Sequence, residues 1–261
     1  MIIAGSERYP GAACLATRAA QRMGAGYVEC FTSSPLARQL MLSACPSAVV
    51  HLLDELCLES MSEDKPGHPR SLCIGPGFDS QDEQSARVVI EALKKASCPV
   101  LIDGGALAFL DGKRARKALE KRSARNLTTL VTPHGGEAAR LAKSFGVDAK
   151  DPNQLALALS ETLGATVVLK GPDTYIASGR SVHCIREGTA ALAKAGTGDV
   201  LAGMIGSLLA QGVSASDAAL LGSTLHARAG VSASQQYTLI SVTPEDVIEH
   251  IPNAITSLKQ G

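Results

Sequence analysis

The 261-residue chain carries 25 Lys plus Arg against 25 Asp plus Glu, so its formal charge is zero and a nucleic-acid or anionic-membrane binder is not expected. Hydrophobic residues make up 45% and charged residues 19%, which argues against global disorder, and no apolar window is long enough to span a membrane. Aromatics are only 3% with no tryptophan, so Ala, Leu, Val, Ile and 25 glycines must build the interior.

In chain order, short apolar runs predict strands at Met1–Ala4, Tyr27–Phe31, Ala48–Leu52, Ser71–Ile74, Val100–Ile102, Thr129–Val131, Thr166–Leu169, Thr174–Ala177 and Val182–Cys184. Stretches of helical spacing separate most of them. Ala12, Leu15, Ala16, Ala19, Ala20 and Met23 form one stripe, and Val200, Leu201, Met204, Ile205, Leu208 and Leu209 another. Strands alternating with helices predict an α/β fold with a mostly parallel sheet covered on both faces. The last two strands, joined through Ser178-Gly179-Arg180-Ser181, read as a hairpin and hence an antiparallel edge. Beyond Gly198 the pattern is helical, with Ser214 and Thr243-Pro244 as helix starts. Glu59–Arg70 reads as an exposed polar loop, and no linker divides the chain, so residues 1–261 are expected to be one domain.

Met1–Gly5 shows no basic region followed by an apolar run and cleavage site, so no signal peptide is expected. The seven cysteines form no CxxC pair and read as free buried thiols of a reducing, cytoplasmic compartment. The Lys113–Arg125 basic run reads as a solvated helix face, and His226 as a packing histidine.

Chemistry concentrates at strand ends. Ala193-Lys194-Ala195-Gly196-Thr197-Gly198-Asp199 leads directly into a helix. Its glycines allow successive amides to face one concavity at the helix start, an arrangement suited to phosphate or an oxyanion, with Asp199 beside it. Gly75-Pro76-Gly77 ends an apolar strand, and Val100-Leu101-Ile102 runs into Asp103. Thr132-Pro133-His134-Gly135-Gly136-Glu137 joins a strand to the helix Ala138–Ser144, and Lys170-Gly171-Pro172-Asp173-Thr174 follows another strand. Taken singly, each has an ordinary structural explanation as a turn, cap or packing device.

The segment Ala191–Ile205 resembles the C-terminal signature of the ribokinase-like superfamily, a three-layer sandwich. Together with Gly5-Ser6, Tyr9–Ala13 and the motifs above, it resembles the ADP/ATP-dependent NAD(P)H-hydrate dehydratases over nearly the whole chain. That resemblance implies repair of the S epimer of hydrated NADH or NADPH, with ADP or ATP as phosphoryl donor and Mg2+ as cofactor. It implies Asp199 as catalytic base, Gly196, Thr197 and Gly198 as anion hole, and Ala12, Gly77, His134 and Asp199 as substrate contacts. Lys170, Gly171, Pro172, Asp173, Thr174 and Gly198 would hold the nucleotide, and Glu137 would bind metal through water. A homotetramer and cooperation with a separate epimerase are also implied. Ala195 stands where many relatives have glycine, and Thr189-Ala190 where many have Asn-Pro. The alternatives are a kinase of the same superfamily acting on hydroxymethylpyrimidine or thiazole vitamin precursors, or a non-catalytic nucleotide-binding regulator. A nicotinamide dehydrogenase is disfavoured because no GxGxxG opens the first helix.

Overall fold

The computed structural model describes residues 1–57, 61 and 67–258. Nine strands form one sheet: β1 (Ile2–Ile3), β2 (Glu29–Thr32), β3 (Val49–Leu52), β4 (Leu72–Ile74), β5 (Val100–Ile102), β6 (Thr129–Val131), β7 (Thr166–Leu169), β8 (Thr174–Ser178) and β9 (Ser181–Ile185). Their order is β3-β2-β1-β4-β5-β6-β7-β8-β9; the first seven are parallel and the last two antiparallel. The helices are α1 (Gly11–Arg22), α2 (Pro35–Ala44), α3 (Glu83–Lys95), α4 (Lys113–Ala124), α5 (Gly135–Phe145), α6 (Pro152–Leu163), α7 (Thr197–Ala210), α8 (Ala215–Gln236) and α9 (Pro244–Ser257).

Each central strand is apolar on both faces because each face is covered. Ile2, Cys30, Cys73, Leu101, Leu130 and Val168 pack towards α1, α7, α8 and α9. Their neighbours Ile3, Phe31, Ile74, Ile102, Val131 and Val167 pack towards α3, α4, α5 and α6. Small residues let α7 lie close: a Cβ at Gly203 would fall 2.1 Å from the Ala16 carbonyl of α1.

Ile3, Ile74, Ile102, Val131 and Val167 lie in one register row across five parallel strands. The residues that follow them therefore emerge side by side at the carboxyl edge of the sheet. The order reverses at β1, with β2 on one side and β4 on the other, which opens a crevice where ligands bind in such sheets.

Three expectations need correction. Arg122 of the basic run is buried, donating to the carbonyls of Ala96, Cys98 and Thr128 and to Thr129 Oγ1. The α4 face around it meets α3 and β6, so the guanidinium closes the Ala96 and Cys98 carbonyls beyond α3 and adds a second donor to Thr128 O, which also accepts from the Val100 amide. None of the seven cysteines is in a disulfide, but Cys57 and Cys184 are exposed and Cys14 half-buried, so they are not uniformly buried. Within the polar segment, Met61 is buried and its carbonyl accepts from Arg70, whereas Gly67 to Pro69 are exposed. The rest of the expected Glu59–Arg70 loop lies outside the described residues.

Candidate active site

The carboxyl edge places the ends of β4, β5, β6 and β7 around the N-terminus of α7. The Gly5 amide donates to Pro76 O at 2.8 Å, locking the turn after β1 to the turn after β4. Gly77 has φ +68°, and a Cβ there would lie 2.5 Å from Ala12 Cβ and 2.8 Å from Tyr9 O. Ala12 and Gly77 are thus brought together, with α1 opening against the β4 turn.

One register row further along, Asp103 and Thr132 follow β5 and β6. Thr132 Oγ1 donates a short hydrogen bond to Asp103 Oδ1, and the Lys170 ammonium, at the end of β7, sits 2.8 Å from the same oxygen. Asp103 is 2% exposed, so this is an enclosed charge pair. In the sequence Asp103 reads as a structural or capping acid at a strand end, and its partner lies 67 residues away. The signal available was a lone acidic residue at one strand end and a lysine at another.

The Lys170 ammonium also lies against α7: a Cβ at Gly198 would stand 3.3 Å from its Nζ. Burial pulls Lys170 down, but the Asp103, Glu137 and Asp199 carboxylates outweigh it and leave the group raised, so it stays cationic. Burial and the Asp103 charge push the Asp199 carboxyl up to about 7, partly offset by Lys170. A carboxylate with such a value is suited to accept a proton near neutral pH.

Gly196, with φ +96°, caps α7 without a side-chain hydrogen bond. The Thr197 amide donates to Lys194 O at 3.3 Å, and Thr197 Oγ1 lies 2.7 Å from Leu192 O. Of the amides expected to form an anion hole, Thr197's is therefore already engaged. Those of Gly198 and Asp199 lie in the first helical turn, where no intrahelical acceptor exists. The missing side chain at Gly198 leaves that donor beside the Lys170 ammonium.

His134 is the N-cap of α5. Its Nδ1 accepts from the Gly136 amide at 3.0 Å, while Glu137 Oε2 accepts from the His134 amide at 2.8 Å. The imidazole Nε2 is left 3.6 Å from Glu137 Oε1, with the ring largely exposed. Backbone pairing with Lys170 fixes this cap beside the charge pair, since the Lys170 amide donates to Pro133 O.

Gly171 and Pro172 are exposed, Asp173 lies 3.7 Å from Arg186 at the surface, and Thr174 opens β8 opposite Ile185. They stand at the rim, apart from the Asp103–Lys170–Asp199 cluster. His226, on α8, is buried beneath the start of α7 near the Thr197 backbone, where burial pushes it down to about 4.

Among the described residues, no three His, Cys, Asp or Glu side chains converge on a metal position. The oxygen donors present still suit magnesium, which commonly takes one or two carboxylates together with substrate phosphates. Glu137 is the carboxylate at the rim with an oxygen, Oε1, that the helix cap leaves uncommitted.

The family model for NAD(P)H-hydrate dehydratase matches residues 1–253. An ADP-dependent (S)-NAD(P)H-hydrate dehydratase of Xanthomonas campestris is 33% identical, covering 100% of this chain and 89% of its own length. A bifunctional NAD(P)H-hydrate repair enzyme of Synechocystis is 31% identical over 96% of this chain, which spans only 47% of that relative. Among solved structures, an ADP/ATP-dependent NAD(P)H-hydrate dehydratase of Bacillus subtilis, co-crystallised with ATP/Mg2+, superposes with a TM-score of 0.79 and 28% identity. It covers 98% of this chain and 88% of its own. A ribokinase-like superfamily protein of Enterococcus faecalis has a TM-score of 0.78 at 24% identity, over 98% of this chain and 86% of that one, which supports the fold alone.

Proposed function

The chain belongs to the NAD(P)H-hydrate dehydratase family, and from that premise we infer that it uses ADP or ATP to dehydrate the S epimer of hydrated NADH or NADPH. The observation that carries the reading is the Asp199 carboxylate, raised to about 7, at the mouth of the α7 amides beside the Lys170 ammonium. Hydroxide is a poor leaving group and phosphate a good one, so transferring a phosphoryl group to the ring hydroxyl makes elimination accessible.

Asp199 takes the hydroxyl proton as the oxygen attacks the terminal phosphorus of the nucleotide, whose bridging oxygen leaves with its electron pair. The Gly198 and Asp199 amides and the Lys170 ammonium stabilise charge gathering on the phosphoryl oxygens. Asp103 holds Lys170 in place and keeps it charged. Phosphate then departs from the ring carbon, a proton leaves the adjacent carbon, and the double bond of the dihydronicotinamide returns. Magnesium, brought with the nucleotide phosphates and held at Glu137, would neutralise phosphate charge.

Ala12 and Gly77 supply a side-chain-poor wall against which the hydrate lies, and the exposed His134 Nε2 donates to it. Gly171, Pro172, Asp173 and Thr174 hold the nucleotide from the rim. The reading includes a cytoplasmic homotetramer working beside a separate epimerase; the bifunctional name of the half-matched relative supports the latter. No described helix is long and apolar enough to cross a membrane.

The test supplies hydrated NADH, magnesium and either ADP or ATP and follows phosphate release and nucleotide conversion. Phosphate release that requires the hydrate supports the reading. Turnover of a hydroxymethylpyrimidine or thiazole alcohol to a stable phosphate ester, with none of the hydrate, would replace it with the kinase alternative.

A further inference from the structure

The turn between α8 and α9 is held in an unusual way. Leu239 is 53% exposed and Ile240 89%, so apolar burial holds the turn only at its Val242 end. Thr238 carries a strained φ of +115° in a β-branched residue. The backbone nevertheless closes tightly, with the carbonyls of Leu239, Ile240 and Val242 turned inward onto a single atom. That atom is Lys194 Nζ, 3.4 Å from Leu239 O and 2.6 Å from Ile240 O, and in hydrogen-bond contact with Val242 O. An ammonium has three N–H donors and no acceptor, so three carbonyls satisfy it completely.

The same turn abuts the anion-binding loop. Val242 is buried, and Pro244 at the start of α9 follows the Thr243 cap. A Cβ on Gly196 would lie 2.8 Å from Pro244 Cγ and 2.8 Å from Leu15 Cδ1. The left-handed Gly196 is thus wedged between the first residue of α9 and α1. Lys194 acts on this loop from both sides: its backbone carbonyl takes the Thr197 amide, and its ammonium anchors the turn that places Pro244.

We propose that Lys194 is a positioning residue for phosphoryl transfer, its ammonium serving as the built-in cation of a three-carbonyl cage that fixes the α8–α9 turn and, through Pro244, the direction of the Gly198 and Asp199 amides. It touches neither substrate. Its effect falls on the transition state, where amide direction matters most, and not on ground-state binding. The assignment of kinetic consequence rests on the dehydratase reading; the amide geometry does not.

Kinetics and hydrogen exchange separate them. In Lys194→Met, kcat is expected to fall about tenfold or more, while KM for hydrate and nucleotide stays within about twofold. In Lys194→Ala, propylammonium chloride restores several-fold activity, whereas tetramethylammonium chloride at equal ionic strength, which has no N–H to offer the carbonyls, does not. Hydrogen exchange at the Gly198 and Asp199 amides, read without any turnover, is expected to quicken in Lys194→Met relative to the α7 interior. Pro244→Ala, which leaves the cage intact, gives the same kcat-only loss and serves if the Lys194 variants do not fold. Unchanged kcat in Lys194→Met or Pro244→Ala, rescue by both salts, or exchange unchanged at those two amides would overturn the proposal. A wild-type protein inert towards the hydrate, with exchange quickened as expected, would fault the function and leave the cage standing.

Discussion

Asp103 and Lys170, 67 residues apart in sequence, meet at 2.8 Å across the carboxyl ends of two strands, and the same lysine ammonium lies against Gly198 at the start of α7. One buried carboxylate therefore holds the cation in place and adds to the burial that raises the proton affinity of Asp199. Burial is the main cause of the raised Asp199 and Asp103→Asn removes the charge that adds to it, so the acid limb of the kcat profile is expected to move part of the way to lower pH. KM for the nucleotide rises in parallel as Lys170 loses its anchor. A pH–rate series on the variant reads both.

Asp199, raised to about 7 from an ordinary 3.8, must be ionised to act as base. Wild-type kcat is expected to rise as pH increases through about 7 and then level. The stability sign is opposite. The folded state holds this proton up to about pH 7 and the unfolded chain only to about 4, so the group's contribution to stability is lost as pH rises through that window. Asp199→Asn is then inactive yet unfolds at a higher temperature than wild type above pH 7, which thermal unfolding measures.

Gly77→Ala places a methyl 2.5 Å from Ala12 Cβ in a positive-φ position. A loss of kcat/KM for the hydrate of about tenfold or more is expected. Gly146→Ala is the control: its φ of +71° imposes similar backbone strain, but nothing lies within 4 Å of the added carbon. Steady-state kinetics of the two should differ, and Gly77→Ala should also lose the more stability, by the clash that Gly146→Ala lacks.

Arg122→Leu removes four hydrogen bonds, three of them to the buried acceptors Ala96 O, Cys98 O and Thr129 Oγ1. Denaturant unfolding should show a loss of ~3 kcal/mol, and KM values should not move, because α4 lies on the sheet face away from α7.

His226 is held neutral, with burial depressing it from 6.5 to about 4. Its contribution to stability is complete above pH 6.5 and lost as pH falls through about 4, because only the unfolded chain takes the proton readily. His226→Leu should flatten this acid dependence, which amounts to ~3 kcal/mol across that window.

Most of the sheet was legible because parallel strands buried on both faces must be apolar runs, and each run lies within a residue or two of its observed strand. The Gly179-Arg180 turn and the Thr243-Pro244 cap were legible for local reasons, since their chemistry is contained in a few consecutive residues. Arg122 was not. Its spacing within a basic run looks solvated, and only the packing of α4 on α3 creates the carbonyls that it closes. The Asp103–Lys170 pair depends on register across β5, β6 and β7, which no local pattern encodes. His134 and Glu137 stand out in the sequence by their motif, but their mutual capping bonds emerge only once α5 begins at Gly135. Thr197's amide looked available until the loop folded it onto Lys194 O.

The central claim is that Asp199 activates the hydrate's hydroxyl for phosphoryl transfer. The measurement is the return of dihydronicotinamide near-ultraviolet absorbance from hydrated NADH with magnesium and ADP or ATP, wild type beside Asp199→Asn. Full recovery in the wild type and a loss of about a hundredfold or more in the variant is the predicted result. Equal rates in the two proteins, or no recovery in the wild type with either nucleotide, would contradict it.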